Sequence, residues 1–300
     1  MGYFLAFDFG GTKLTAALVA DNIFTIEKTE WLDLQRVYSP PNATAQYDLE
    51  TMIALGKQLL GKHKLSGIGV SFGGPTDFAN GRIIKSDHVA GWENIPLADI
   101  LQKEFNTIIR IDNDANVAAL GEYRFGAGRG VRSLFYITVS TGVGGGWILE
   151  GRPYRGHNSM AGEIGHTIVD AQGPLCVCGN HGCIERYASG PFMAQDAGVE
   201  SGKVVAEMAR DGVETAVAIL ERGAWALGLA IGNTANLLNP ERFVLGGGVT
   251  KSGERWWQVV RQTAQQTARE YVQFDIVPTQ LGDDAPLWGG VALLETLDEA

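Results

Sequence analysis

The chain has 300 residues, more than one typical domain holds, so two domains are expected. Its formal charge of -10 argues against nucleic acid as the main partner, because phosphate backbones are held by basic surfaces. A hydrophobic share of 45% with 19% charged residues is ordinary for a soluble globular protein; the 40 glycines fall in turns rather than at a fixed period, which excludes collagen-like and low-complexity chains.

In chain order, Tyr3–Phe9, Lys13–Ala20 and Ile23–Trp31 read as three consecutive strands, the first two joined through Gly10-Gly11 as a hairpin. Met1 leads directly into the first strand without a basic leader or cleavage site. Ala6 stands where a myristoylation signal has Ser or Thr, and no apolar run is expected to reach the ~18–20 residues of a membrane span. A cytoplasmic protein without membrane attachment is therefore expected, and the Asn42-Ala43-Thr44 sequon reads as chance. Gln46–Gly61 is helix-like, and a strand at Gly67–Ser71 ends in Phe72-Gly73-Gly74-Pro75. Ile95-Pro96 opens a helix with Pro96 suited to its first position. A short strand at Thr107–Ile111 precedes Asp112-Asn113-Asp114-Ala115-Asn116, which opens an Ala-rich helix to about Phe125. One of these short polar residues serves as N-cap, which explains one of the four.

The pattern then restarts. Strands at Ser133–Val139 and Gly146–Glu150 are joined through Thr141-Gly142-Val143-Gly144-Gly145, echoing the first hairpin. Helices follow around Phe192–Gly198, Ser201–Arg210 and Val213–Leu238. A buried-type strand at Arg242–Leu245 runs into Gly246-Gly247-Gly248, followed by a helix from Glu254 to about Tyr271, a strand at Phe274–Val277 and a last helix at Trp288–Leu297. Two halves with matching glycine hairpins imply a duplicated α/β fold of two lobes with a cleft between them. The expected smaller lobe is 1–112 plus about 286–300, the larger one 113–285, with a hinge near residue 113.

Glycine turns let backbone amides approach a ligand, and concave runs of N–H groups bind anions. Neither a P-loop nor G-x-G-x-x-G is present, so those two nucleotide folds lose their support. All three cysteines, Cys176, Cys178 and Cys183, lie within eight residues. An odd count in one loop argues against a disulfide framework. Three thiolates so close suit zinc, which takes four ligands, and His166 and His181 are both in range for the fourth. Glu163 and His166, three apart, share one face on a helical turn. With Glu185 they would set carboxylates and an imidazole beside the metal, a set that suits a ligand covered in hydroxyls, and a metal-bound imidazole keeps its second nitrogen for outward contacts.

E-I-G-H at 163–166 followed by C-V-C-G-N-H-G-C-I-E at 176–185 resembles the signature of the ROK family, bacterial sugar kinases and sugar-responsive repressors of the actin/hexokinase superfamily; the likeness covers essentially the whole chain. It implies a duplicated actin-like ATPase (ribonuclease H-like) fold and transfer of the ATP γ-phosphate to a hexose hydroxyl, the 6-OH of glucose or a related sugar. D-F-G-G-T-K at 8–13 then resembles a first phosphate loop, with Gly10, Gly11, Thr12 and Lys13 on ATP and Asp8 holding Mg2+ through water. S-T-G-V-G-G-G at 140–146 resembles the second, with Thr141, Gly142 and Gly144, while Gly247 and Gly248 would pass under adenosine. The resemblance makes Asp114 the general base and Asn113 a sugar contact, joined by Glu163, His166, Glu185 and the backbone near Gly74. It makes His166 the fourth ligand of a structural zinc with Cys176, Cys178 and Cys183, leaves His181 a loop residue, and implies a homodimer or homotetramer.

One departure concerns His88, which precedes Gly91-Trp92 where the family usually has a sugar-contacting Asn. Pro75 likewise offers no side-chain hydrogen bond where some N-acetylhexosamine kinases of the family have a basic residue. Both tilt the reading toward a plain hexose, with an N-acetylhexosamine kinase as an alternative. A sugar-responsive regulator, the other alternative, would need a winged-helix segment before the first phosphate loop, which here starts at Asp8.

Overall fold

The computed structural model describes residues 2–25, 30–86 and 88–295. In chain order the elements begin with β1 (Tyr3–Phe9), β2 (Lys13–Ala20), β3 (Asp33–Tyr38), α1 (Ala45–Leu60), β4 (Leu65–Phe72), the short β5 (Thr76–Asp77) and β6 (Arg82–Ile83), α2 (Leu97–Phe105), β7 (Ile109–Asn113) and α3 (Asp114–Phe125). They continue with β8 (Ser133–Val139), β9 (Val143–Leu149), β10 (Arg152–Pro153), α4 (Ile184–Ala188), α5 (Gly190–Ala197), α6 (Gly202–Arg210) and α7 (Glu214–Leu238). The last are β11 (Arg242–Gly246), α8 (Glu254–Thr267), β12 (Asp275–Pro278) and α9 (Ala285–Glu295). The chain divides into two compact units: residues up to Arg129 with Arg155–Ala161 and the stretch from Asp284 onward, and Gly130–Tyr154 with Gly162–Asp283.

Each unit is built on one five-stranded sheet, in the order β3-β2-β1-β4-β7 in the first and β10-β9-β8-β11-β12 in the second. In both, the first two pairings are antiparallel and the last two parallel. The duplication expected from the two glycine hairpins is therefore present strand for strand. Central strands such as β1 and β4 are buried along nearly their whole length, which is why they read as apolar runs rather than alternating ones.

The third strand corrects the sequence expectation. Ile23–Thr25 is a 3-10 turn, residues 26–29 lie outside the described residues, and the strand that pairs with β2 is Asp33–Tyr38. As the sheet's edge it leaves much of its surface to solvent, so it tolerates Asp33, Gln35 and Arg36 and carries no apolar signature. Smaller corrections follow from local geometry. Pro96 is the N-cap of α2 rather than its first residue. The second hairpin is tighter than expected: Ser140 N–H donates to Gly142 O, and Gly144 already lies in β9. Helix α8 ends at Thr267, and α9 begins at Ala285, three residues before its expected start; the expected end at Leu297 lies outside the described residues.

Helix α7, at 25 residues, is long and apolar enough to cross a membrane by length and composition, so the expectation that no run reaches that length is corrected. Its Leu220, Ala224, Leu227, Ile231 and Ala235 are buried in the core of the second unit with Trp256, Val260 and Ala264 of α8. That is the packing of a central helix in a globular core.

In the first unit α9 touches both α3 and β4 backbone to backbone. A methyl at Gly289 would overlap the Val117 carbonyl of α3, and one at Gly69 would overlap the Gly290 carbonyl. Overpacking a tight contact costs about 1–3 kcal/mol. Gly289→Ala is expected to lower stability by that amount or more, read as a drop in the urea midpoint; an unchanged midpoint would show that α9 can shift without cost.

Candidate active site

The parallel pairing of β1, β4 and β7 sets Asp8 opposite Ser71 and Ser71 opposite Asp112, with Phe9, Phe72 and Asn113 one step further on. The three strands thus end at one level, and in open α/β sheets ligands bind beyond such carboxyl ends. Asp8 is buried, and Ser71 Oγ–H donates to its Oδ1 at 2.8 Å. Burial pushes the Asp8 carboxyl above the usual carboxylate range, against the Ser71 hydrogen bond and the charges of Lys13 and Arg36, which pull it down. Just beyond, the hairpin is closed by Gly10 N–H donating to Lys13 O at 3.1 Å, leaving Gly11 and Thr12 exposed. A methyl on Gly11 would lie 2.8 Å from His88 Cβ, so His88 rests against this turn. Its own N–H donates to Ser86 Oγ at 3.2 Å.

Asn113 is the N-cap among the four short polar residues. Its Oδ1 accepts from Ala115 N–H at 3.0 Å and Asn116 N–H at 3.4 Å. Its Nδ2 donates to Gly74 O at 3.1 Å and to Asp114 Oδ1 at 3.0 Å, an oxygen that also accepts from Ala115 N–H at 2.9 Å. One amide side chain therefore caps α3 and orients the next carboxylate. A methyl placed on Gly73 would be 3.8 Å from Asp114 Oδ2 and 3.9 Å from Gly10 Cα. Gly10, Gly73, Gly74, Asn113 and Asp114 are accordingly neighbours.

The second unit gathers its own set. The second glycine turn lies beside the third: Gly247, at φ 89°, would overlap the Val139 carbonyl if it bore a methyl, and one on Gly248 would lie 4.0 Å from Ser140 Oγ. Thr141 is exposed at the tip of the second turn. Past the third turn a cavity of about 680 Å³ is lined by Ala209, Gly212, Leu220, Ser252, Gly253 and Trp256 among others. Glu185 Oε2 accepts the Val143 N–H at 2.9 Å, so this carboxylate holds the second glycine turn, a contact that sequence spacing did not suggest. Glu163 is exposed and precedes the 3-10 turn Ile164–His166, its O accepting from His166 N–H at 3.2 Å.

His166, Cys176, Cys178 and Cys183 converge, their ligand atoms all within 4.8 Å of one another. Cys178 Sγ and Cys183 Sγ are 3.6 Å apart, and Cys176 Sγ and His166 Nδ1 3.9 Å. Tetrahedral zinc places such atoms about 3.5–3.8 Å apart, so the donor set fits that ion. Burial pushes the Cys176 thiol up and that of Cys183 up to about 12, while the backbone N–H of Asn180 lowers Cys178. His181 stands outside the group, its Nδ1 2.9 Å from Gly173 O. Sequence reasoning gave no role to Ser71, Asp112 or Arg155; the first two are recognisable only once the strand register is known.

The family model described as "ROK family" matches residues 4–296. The chain belongs to the ROK family. A glucokinase of Halalkalibacterium halodurans is 38% identical over 265 residues, covering 79% of each chain. The ROK hexokinase from Thermus thermophilus superposes with a TM-score of 0.87 at 28% identity, covering 99% of both chains. A ROK family glucokinase from Streptomyces griseus, solved in complex with glucose and AMPPNP, gives a TM-score of 0.82 at 30% identity over 97% of this chain and 99% of that one. The two matched sheets are those of the actin-like ATPase fold.

Asp8 supplies a stability test. Its folded-state pKa is raised, so the folded protein keeps this proton to higher pH than the unfolded chain, and ionising it costs stability as pH rises through the folded value. In metal-free buffer, Asp8→Asn is expected to unfold at an equal or higher urea concentration than wild type at pH 7. The gap should close below the ordinary carboxylate range; a variant clearly less stable at pH 7 would refute the burial account.

Proposed function

We propose that this ATP-dependent hexose kinase phosphorylates the 6-hydroxyl of glucose or a closely related hexose, with Asp114 as the general base. The observation that carries the reading is the Asp114 carboxylate, held by Asn113 Nδ2 and Ala115 N–H beside the first glycine turn. Phosphoryl transfer passes through a loose transition state, so little covalent work falls to the protein. A fixed carboxylate takes the hydroxyl proton, and positioning with charge neutralisation supplies most of the rate. Asn113, Glu163, His166, Glu185, His88 and the backbone at Gly74 would engage sugar hydroxyls. A buried polar group left unpaired costs on the order of 1–3 kcal/mol, which is how such a set rejects sugars lacking the matching hydroxyl. Pro75 and His88 favour a plain hexose over an N-acetylhexosamine.

The amides of Gly10, Gly11 and Gly142, with Thr12, Lys13, Thr141 and Gly144, would hold ATP phosphates, and Gly247 and Gly248 would pass under adenosine, whose base would take the neighbouring cavity. Mg2+ would bridge and neutralise the phosphates. Asp8, buried and accepting from the Ser71 hydroxyl, would hold it through water. Zinc on His166, Cys176, Cys178 and Cys183 would be structural, because four protein ligands leave no open position.

ADP release, measured by a coupled assay against glucose, mannose, fructose, allose, N-acetylglucosamine and N-acetylmannosamine, is expected to single out glucose or a near relative. Asp114→Asn should lower kcat by about 10²–10⁴-fold with KM nearly unchanged. Undiminished kcat in that variant would remove Asp114 from the role. A second measurement concerns the metal. A strong chelator is expected to release stoichiometric zinc, lower the thermal midpoint and weaken glucose binding; loss of zinc with midpoint and affinity intact would refute a structural role.

A further inference from the structure

Asp112 is fully buried, yet it is neither the proposed base nor a phosphate contact. Its Oδ2 accepts from Arg155 Nε at 2.6 Å. Its Oδ1 accepts from Asn113 N–H at 2.8 Å and from Asn116 Nδ2 at 3.2 Å. The Arg155 guanidinium in turn lies over the Phe78 ring, 3.5 Å from its centroid. Asn113 and Asn116 bracket Asp114, and Asn113 is the residue that both caps α3 and donates to the Asp114 carboxylate. The links therefore run in series from Phe78 to Arg155, Asp112, Asn113 and Asp114. Arg155 does not come from the sheet that carries the site. It opens the segment Arg155–Ala161, which belongs to the first unit although the chain on either side of it belongs to the second, and which is closed by Ala161 N–H donating to Arg155 O at 3.0 Å.

We propose that Arg155 is a positioning residue for phosphoryl transfer: by holding Asp112 it fixes the Asp112–Asn116 turn and, through Asn113, the Asp114 carboxylate. The inference rests on Asp114 being the base. Arginine suits the task because one planar group both donates to the carboxylate and stacks on an aromatic face, and a lysine ammonium supplies the charge without the plane. Deleting Arg155 alone leaves a buried carboxylate uncompensated, which is strongly destabilising in itself. The informative variant is therefore Asp112→Asn combined with Arg155→Met. It removes both charges, and its Asn Oδ1 can still accept from Asn113 and Asn116.

The test compares wild type, Arg155→Lys, Arg155→Met and the double variant by urea denaturation, by amide hydrogen exchange across residues 112–117 in the folded protein, and by steady-state kinetics on the sugar that wild type turns over. The double variant is expected to unfold near the wild-type midpoint. Its 112–117 amides should exchange about tenfold faster or more, and its kcat should fall about 10–100-fold with KM for ATP unchanged. Arg155→Lys should recover part of both. Wild-type exchange or wild-type kcat in the double variant would overturn the proposal, leaving Arg155 as no more than the counter-charge of Asp112. If Asp114→Asn keeps full kcat, or wild type phosphorylates no hexose, it is the base assignment that fails, whereas the exchange measurement still decides whether Arg155 holds the turn.

Discussion

The common level of three parallel strands is the constraint on which the first unit's chemistry depends. Because β1, β4 and β7 pair in one register, Asp8, Ser71 and Asp112 stand abreast, and the residues just beyond them gather at one end of the sheet. The side-chain period of a strand is two, so slipping β4 by one residue would turn Ser71 to the opposite face and strip Asp8 of its hydroxyl donor. What holds β4 in place is also what holds α9: glycine backbones at 69 and 290 meet without side chains between them. Core packing and site geometry are thus set by the same few backbone contacts.

Two buried carboxylates one strand apart from Ser71 are treated in opposite ways. Asp112 takes a guanidinium and two N–H donors, the full complement that a buried charge needs. Asp8 takes the Ser71 hydroxyl, and burial pushes its carboxyl up, which disfavours its ionised form. The first arrangement suits a strut. The second is compatible with the role proposed for Asp8, holding Mg2+ through water. Glu185 adds a third variant in the other unit: its carboxylate takes a backbone N–H of the second glycine turn, two residues after the Cys183 that caps the same helix.

Much of this was readable in the sequence. The Cys-Gly knuckle, the glycine hairpins and the Asp-Asn-Asp turn are local patterns whose composition alone limits what they can do, and the duplicated sheet follows from two hairpins with matching turns. The third strand was misplaced because an edge strand needs only one buried face and Asp33–Tyr38 carries too much charge to show one. Helix α7 was underestimated as an apolar run because Glu221 and Arg222 interrupt it without ending it. Arg155 stayed invisible for a different reason. A lone arginine in a loop carries no periodicity, and its partner Asp112 lies far away in the chain, so only the folded register brings them together.

The chain's route also has a consequence for how the molecule is made. Synthesis runs from the N-terminus, and domains generally fold as units as they emerge. Within this chain β1, β4 and α3 precede Arg155, the partner of Asp112, and precede by a wider margin α9, which follows the whole second unit. Arg155 is thus available to Asp112 before most of the second unit is made, whereas the surfaces of β4 and α3 that α9 covers wait for their partner until that unit is complete. Of the two units, it is the second whose segments are all present first, and the first that closes last.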